Sequence, residues 1–216
     1  MKKKILPVIA ALAFILVVIV FIILGKVIDK YTPTDERQDL AVHYGVTSEE
    51  EVAIIYNNEL IESKAKLLNG VVYLGLDTVK NYINDRFYWD ANENLLRYTT
   101  ASDLVSVPAE STSYTITKDS HSSDHIIVKA DAETAYIAID FVKTYSDFAY
   151  EIFEEPNRVV ITTAWGDYTT TTAKKDTEIR VLGGIKSPIL DVLTKGEELT
   201  ILAELENSPE VINDDG

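Results

Sequence analysis

Cysteine is absent from the 216 residues. That removes thiol catalysis and thiolate metal ligands, and any exported domain must be held by its core without disulfides. An export route that does not depend on disulfide formation, as in a Gram-positive anaerobe, fits this composition. Histidine is scarce: His43, His121 and His125 are the whole supply, so bases and imidazole ligands are few. Basic residues are also in deficit. Of 20, three are Lys2, Lys3 and Lys4; the other 17 face 35 acidic residues, a formal charge of −18 beyond the N-terminus. Such a surface argues against nucleic acid and against electrostatic capture by anionic lipid or wall polymer. Its simplest consequence is solubility.

Charge is missing from one stretch altogether. Ile5 to Leu24 is an unbroken apolar run in which 16 of the residues are Ile, Leu, Val or Phe. At about 1.5 Å per residue a helix of this length crosses the ~30 Å hydrocarbon core of a bilayer. Those side chains favour insertion by about 5–10 kcal/mol. The three lysines before it stay cytoplasmic, so the chain beyond Gly25 is exported. A cleaved signal peptide has a shorter apolar core followed directly by a small-x-small site. Here Ala11 and Ala13 lie inside the run, and Gly25-Lys26-Val27-Ile28-Asp29 follows it. The expectation is an uncleaved single-pass anchor over residues 1–25, in the cell membrane, with its N-terminus inside.

Residues 26–51 are polar and read as a stalk, with a helix capped by Thr34, carrying Asp35 and Glu36 in its first turn, running through His43-Tyr44 and ending at Gly45. Globular patterning starts at Val52–Tyr56, followed by Asn57-Asn58, a partner strand Leu60–Leu68, and the hairpin signal Asn69-Gly70 before Val71–Leu74. A short helix is expected over Asp77–Ile83, with Val79, Tyr82 and Ile83 on its buried face. Strands Phe87–Trp89 and Leu95–Tyr98 flank the turn-forming Asp90-Ala91-Asn92-Glu93-Asn94.

The pattern recurs 63 residues later. Tyr73, Asp77, Val79, Lys80, Tyr82, Asn94, Thr99 and Thr100 match Tyr136, Asp140, Val142, Lys143, Tyr145, Asn157, Thr162 and Thr163 without a gap. We read a duplicated strand–helix–strand–strand unit, about 71–100 and 134–163. Between the copies, strands are expected near Leu104–Val107 and Tyr114–Thr117, then a polar tip from Lys118 to Asp124. Trp165-Gly166 closes the second copy. After a Thr-rich stretch, Thr177–Leu182 alternates as a strand, Gly183 to Pro188 forms a loop, and Lys195-Gly196-Glu197-Glu198 turns into a strand Leu199–Ala203, a small all-β module.

The stretches Gly70–Leu74, Val79–Tyr82 and Phe87–Asp90, with their second-copy counterparts, resemble the copper amine oxidase N-terminal-like stalk domain of secreted Gram-positive proteins. The tail, Thr177–Arg180 with Gly183–Leu190 and Lys195-Gly196, resembles a bacterial Src-homology-3-like domain. The order of anchor, duplicated domain and barrel is similar to the N-terminal half of membrane-anchored clostridial glycoside hydrolase family 18 proteins. There a catalytic (β/α)8 barrel acting on N-acetylglucosamine-containing glycans would follow. The resemblance implies an α+β chain: a transmembrane helix, a copper amine oxidase-like domain over 52–168, and an incomplete Src-homology-3-like barrel over 169–216. Two departures stand out. The barrel strand expected after Glu206 reads Asn207-Ser208-Pro209-Glu210-Val211-Ile212, where Pro209 weakens pairing. The family's Asp-x-x-Asp-x-Asp-x-Glu run is nowhere in the chain. A truncated chain or partial gene is therefore expected, with the parent protein's chemistry outside these residues.

No residue is assigned to catalysis, cofactor or metal. Glu154-Glu155 and Asp214-Asp215 are adjacent acids whose simpler reading is solvated turns rather than a glycosidase pair. His121, Asp124 and His125 have no third strong ligand placed beside them by the sequence. The family's name carries no implication of copper. Tyr88, Trp89, Tyr98, Trp165 and Tyr168 could stack on sugars, but strand placement favours core packing. Gly183-Gly184 is a turn, because no helix or Lys-Ser/Thr follows it. Expected partners are the membrane and a cell-wall glycan or peptidoglycan. The alternative expectation is a self-contained wall-binding or protein-docking module with no enzyme attached.

Overall fold

A computed structural model describes residues 5–131, 134–163 and 169–202. The first element is a continuous helix α1, Ile5–Tyr31. Its stretch Ile9–Tyr31 is long and apolar enough to cross a membrane, and none of that window is buried within the protein. The rest is mostly β, so the described residues are α+β with one candidate span among them. It divides into two units, residues 39–169 and residues 1–38 with 170–216.

The 39–169 unit opens with α2, Leu40–Tyr44. Asp39 caps it through its carboxylate, which accepts from the backbone N–H of Ala41 and Val42, and Gly45 closes it in the left-handed region at φ 61°. The expected helix start at Thr34 is thus displaced by five residues. Asp39 reaches the free N–H groups of the first turn, and the chain before it makes other hydrogen bonds. Strands β1 (Glu51–Tyr56), β2 (Glu59–Leu68) and β3 (Val71–Gly75) follow as two hairpins. Asn57 and Asn58 at one turn, and Asn69 and Gly70 at the other, all take positive φ. Two-residue hairpins need this geometry, and Asn and Gly tolerate it best.

After β3, helix α3 (Leu76–Thr78) runs into a π-helical turn, Val79–Ile83. The wide turn is closed by Asn84 N–H donating to the Val79 carbonyl at 2.7 Å. It rotates the face by one residue. Val79 is fully buried, whereas Tyr82 is 38% exposed and its ring meets Tyr56 edge-on at 5.1 Å. The expectation of a buried Tyr82 fails for that reason. Strands β4 (Phe87–Asp90), β5 (Leu95–Thr99), β6 (Leu104–Pro108), β7 (Ser113–Ile116) and β8 (Asp119–Ser122) form an antiparallel meander. β8 occupies the stretch expected as a polar loop tip. All four of its residues are exposed, so it had no apolar alternation to read.

The unit continues with β9 (Val128–Ala130), β10 (Ala135–Ala138), α4 (Ile139–Thr144), β11 (Ala149–Phe153) and β12 (Arg158–Thr162). The order strand, helical turn, strand, strand therefore stands at both positions of the 63-residue offset. β3 and β10 pair antiparallel, with Leu74 opposite Ile137, Tyr73 opposite Ala138 and Gly75 opposite Tyr136. At that offset Leu74 faces its own counterpart, while its neighbours face each other's counterparts. This is a local two-fold relation centred on the Leu74–Ile137 pair. The hairpin after α3 joins the five-stranded sheet β4-β5-β6-β7-β8, and the hairpin after α4 joins the seven-stranded sheet β11-β12-β1-β2-β3-β10-β9. One buried cluster of 23 residues serves both sheets, from Val52, Ile54, Leu74, Ile137 and Ile161 to Phe87, Leu96, Val105, Val79 and Val142.

The second unit holds α1 and β13 (Thr169–Thr172), β14 (Thr177–Arg180), β15 (Ile189–Leu193) and β16 (Glu198–Ile201). β13 pairs with β16 and β14 with β15. β15 falls within the Gly183–Leu190 stretch and just beyond, where no strand is expected from sequence. Residues 34–38 belong here too. Arg37 forms a parallel bridge with Ile189. Ile189 N–H donates to the Glu36 carbonyl at 2.8 Å, Gln38 N–H to the Ile189 carbonyl at 2.8 Å, and Thr34 N–H to the Ile185 carbonyl at 2.9 Å. The segment read as stalk helix is a strand-like strap on β15.

Candidate functional site

A side chain reinforces the backbone bonds of the strap. Arg180, at the end of β14, has a side chain only 12% exposed. Its guanidinium donates to the Thr34 carbonyl at 3.1 Å, to the Ser187 carbonyl, and to the Glu178 carboxylate. A planar fork of donors suits this three-way contact, and a lysine could not reproduce it. Beneath it Ser187 is fully buried, with its Oγ accepting from Leu182 N–H at 2.8 Å. On α1, Asp29 pairs with Lys186 at 3.5 Å. The last turns of the apolar helix and the strap after it are thus both tied to β14, β15 and the loop joining them.

The sequence pattern marks none of these contacts. Arg180 is one basic residue in an alternating strand, and two of its three partners are carbonyls, which no side-chain pattern reports. Asp39 was legible in principle: an Asp six residues before Gly45 and directly before Leu40 is a capping pattern as good as the one at Thr34.

The residues weighed from sequence are dispersed. Glu155 lies at a shallow groove of about 380 Å³ with Ala41, Val46, Thr47, Ser48, Glu49, Pro156 and Asn157. Asn157 Nδ2 donates to the Glu49 carbonyl at 2.7 Å, closing one wall. Glu51 is held nearby by Thr47, whose hydroxyl and N–H both donate to its carboxylate at 2.7 Å. Those bonds pull its pKa below the usual carboxylate value. His121 sits on β8 with its ring stacked on Tyr114 at 5.3 Å. His125 instead meets Asp140 at 3.2 Å. The two imidazoles therefore serve different contacts, and among the described residues no group of three or more His, Asp or Glu is placed to hold a metal.

The aromatic residues divide as packing predicts, with one exception. Tyr98 is buried in a chain of rings, 4.7 Å from Phe87 and 4.8 Å from Tyr145, which in turn meets Phe141 at 5.2 Å. Tyr98 also donates to the Tyr145 carbonyl at 3.3 Å. Burial raises the pKa of Tyr145 first, with the neighbouring Tyr114 and Tyr98 adding to it. Trp89 is half-buried against the core, but Tyr88 points out from edge strand β4. Trp165, Tyr168 and Asp214-Asp215 lie outside the described residues. Gly184, at φ 95°, turns the loop between β14 and β15. No protein-family model, curated protein or solved structure matches this chain.

Proposed function

We propose that this chain is a tethering and positioning region: a single-pass anchor with a cytoplasmic N-terminus that holds extracellular β-rich modules at the cell surface. The observation that carries the reading is the continuity of α1 beyond the apolar run. The helix extends through Gly25, Lys26 and Asp29 to Tyr31, and three residues later Thr34 is bonded into a folded module. A cleavage there would cut a helix whose outer end is paired with Lys186. Proteases need extended, accessible backbone, so the arrangement supports retention of the segment.

The exported acids support a non-catalytic role for these residues. Glu154 and Glu155 are exposed, and glycoside hydrolysis needs an acid and a partner carboxylate facing across a sugar-sized cleft. The cargo we propose is a family 18 glycoside hydrolase acting on cell-wall or chitin-like glycans, on the strength of the resemblance of the duplicated unit and tail. A docking module without an enzyme is the second reading. Ile152 and Phe153 favour it, because they are exposed on β11, an edge strand that offers unpaired backbone groups.

Protease added to intact cells should remove the region beyond the strap. The membrane fraction should contain full-length mass beginning at Met1 or Lys2. A soluble form beginning near Lys26 would overturn the anchor. Purified residues 26–216 should not hydrolyse chitin oligosaccharides or peptidoglycan, and turnover lost on changing one Asp or Glu would make the chain an enzyme itself.

A further inference from the structure

We infer that the loop of residues 182–186, between β14 and β15, rests in the outer headgroup layer of the bilayer, with Leu182 and Ile185 as its apolar contacts. The inference rests on the anchor reading above and adds a second membrane contact to it.

The level of the loop follows from the helix. Charge is absent up to Leu24 and begins at Lys26, which sets the outer edge of the hydrocarbon near Gly25. Asp29 is five residues past Leu24, a rise of about 7.5 Å along the helix. The headgroup layer of one leaflet is about 5–8 Å thick, so Asp29 stands at its outer part. Lys186 Nζ is 3.5 Å from the Asp29 carboxylate, and the Ile185 carbonyl accepts from Thr34 N–H at 2.9 Å. The pair ties the Lys186 end of the loop to the level of Asp29, and the Thr34 bond keeps Ile185 beside the chain where it leaves the helix.

The loop's composition suits that level. Leu182 is 41% exposed and Ile185 42% exposed, and the helix end tied to the loop through Asp29 bears exposed Val27, Ile28 and Tyr31. Gly183 and Gly184 between them add no bulk, and nothing lies within 4 Å of where a Gly184 side chain would begin. Apolar side chains in a loop that also carries a Lys are a mixture that interfacial segments use. Residues 26–38 and 170–216 carry eight basic and 13 acidic residues, a formal charge of −5, whereas residues 39–169 carry nine and 22, a formal charge of −13. The less acidic unit is the one that carries the span, and the occupant that best continues the surface of the span is the lipid around it.

The absence of cysteine makes a direct test clean. Full-length chains carrying Leu16→Cys, Leu182→Cys or Ile185→Cys would be labelled with the environment-sensitive dye NBD and reconstituted in phosphatidylcholine vesicles. Nitroxide lipids labelled near the headgroup or deep in the acyl chain would then be added. We expect dyes at 182 and 185 to shift to the blue and lose most of their emission to the shallow nitroxide, and the dye at 16 to lose it to the deep one. Quenching at 16 without quenching at 182 and 185 would overturn the inference and leave the anchor standing. A blue shift at 185 without lipid quenching would mean that protein covers the loop, which also overturns it. No quenching at any position would remove the anchor itself.

Discussion

The two units of this chain are both rich in β-structure, but different forces hold them. Residues 39–169 share a buried cluster of 23 residues drawn from two sheets and two helical turns. In the other unit the buried described residues are Ala173, Ser187 and Ile189. At about 25 cal/mol per Å² of apolar burial, the first has ample hydrophobic stabilisation and the second very little. The second unit relies on directed polar contacts: the backbone ladder of the strap, the Arg180 fork and the buried Ser187. A large core can absorb the loss of one hydrogen bond. A thin module closed by a few cannot.

Core truncation should produce the largest effects, and confine them to one unit. Leu74→Ala and Ile137→Ala each remove a fully buried side chain from the centre of the β3–β10 pair and should destabilise the 39–169 unit by about 2–5 kcal/mol. In thermal unfolding of the full chain in detergent micelles, the transition of that unit should fall while protection of Ile189 N–H in the other is unchanged. Comparable losses at the two positions are expected from their two-fold relation. A silent substitution at one of them would break that symmetry.

Arg180→Ala should come next, at about 2–3 kcal/mol, because it strands the Thr34 and Ser187 carbonyls and the Glu178 carboxylate. Hydrogen exchange at Ile189 and Gln38 should rise together. Arg180→Lys should retain most of the loss, since an ammonium lacks the fork. Asp39→Ala should cost the 39–169 unit only about 1 kcal/mol, the usual value of an N-cap, seen as faster exchange at Ala41 and Val42.

The smallest effect is electrostatic. Glu51 is held below its ordinary value of 4.5 first by the Thr47 hydroxyl and then by the Thr47 N–H. Asp103 is held below 3.8 first by the Ser102 hydroxyl and then by that of Thr117. A depressed carboxylate pKa stabilises the fold above the unfolded value and loses that contribution as pH falls through the folded one. Stability should therefore begin to drop only in acid below those ordinary values. Carbon-detected NMR titration should place both carboxyls below the usual range, and Thr47→Ala should return Glu51 towards it.

The contrast also explains which parts of the architecture sequence reading reaches. The 39–169 unit is built from hairpins whose turns, Asn57-Asn58 and Asn69-Gly70, name themselves, and from strands whose apolar residues face a common core. Eight matched residues at a 63-residue offset fall on two stretches that each run strand, helical turn, strand, strand. The π-turn that exposes Tyr82 escapes, because a one-residue widening leaves the apolar spacing of a short helix unchanged. The other unit is legible only in α1. Its strap joins residues 34–38 to Ile189 through backbone groups about 150 positions away in the chain. Backbone hydrogen bonds carry no residue code, so Thr34 read as a cap and Arg180 as an ordinary strand residue. The same holds at the groove, where Glu49 and Asn157 meet through a carbonyl.

The central claim is that the module after residue 169 is completed by the strand-like segment that follows the apolar helix. Two protease sites test it: one between Gln38 and Asp39, the other between Thr163 and Thr169, in the full chain inserted in membranes. After both cuts and sedimentation, residues 39–163 should pass into the supernatant while the C-terminal fragment stays in the pellet with α1, held by the strap and Arg180. Release of that fragment under native conditions would contradict the account.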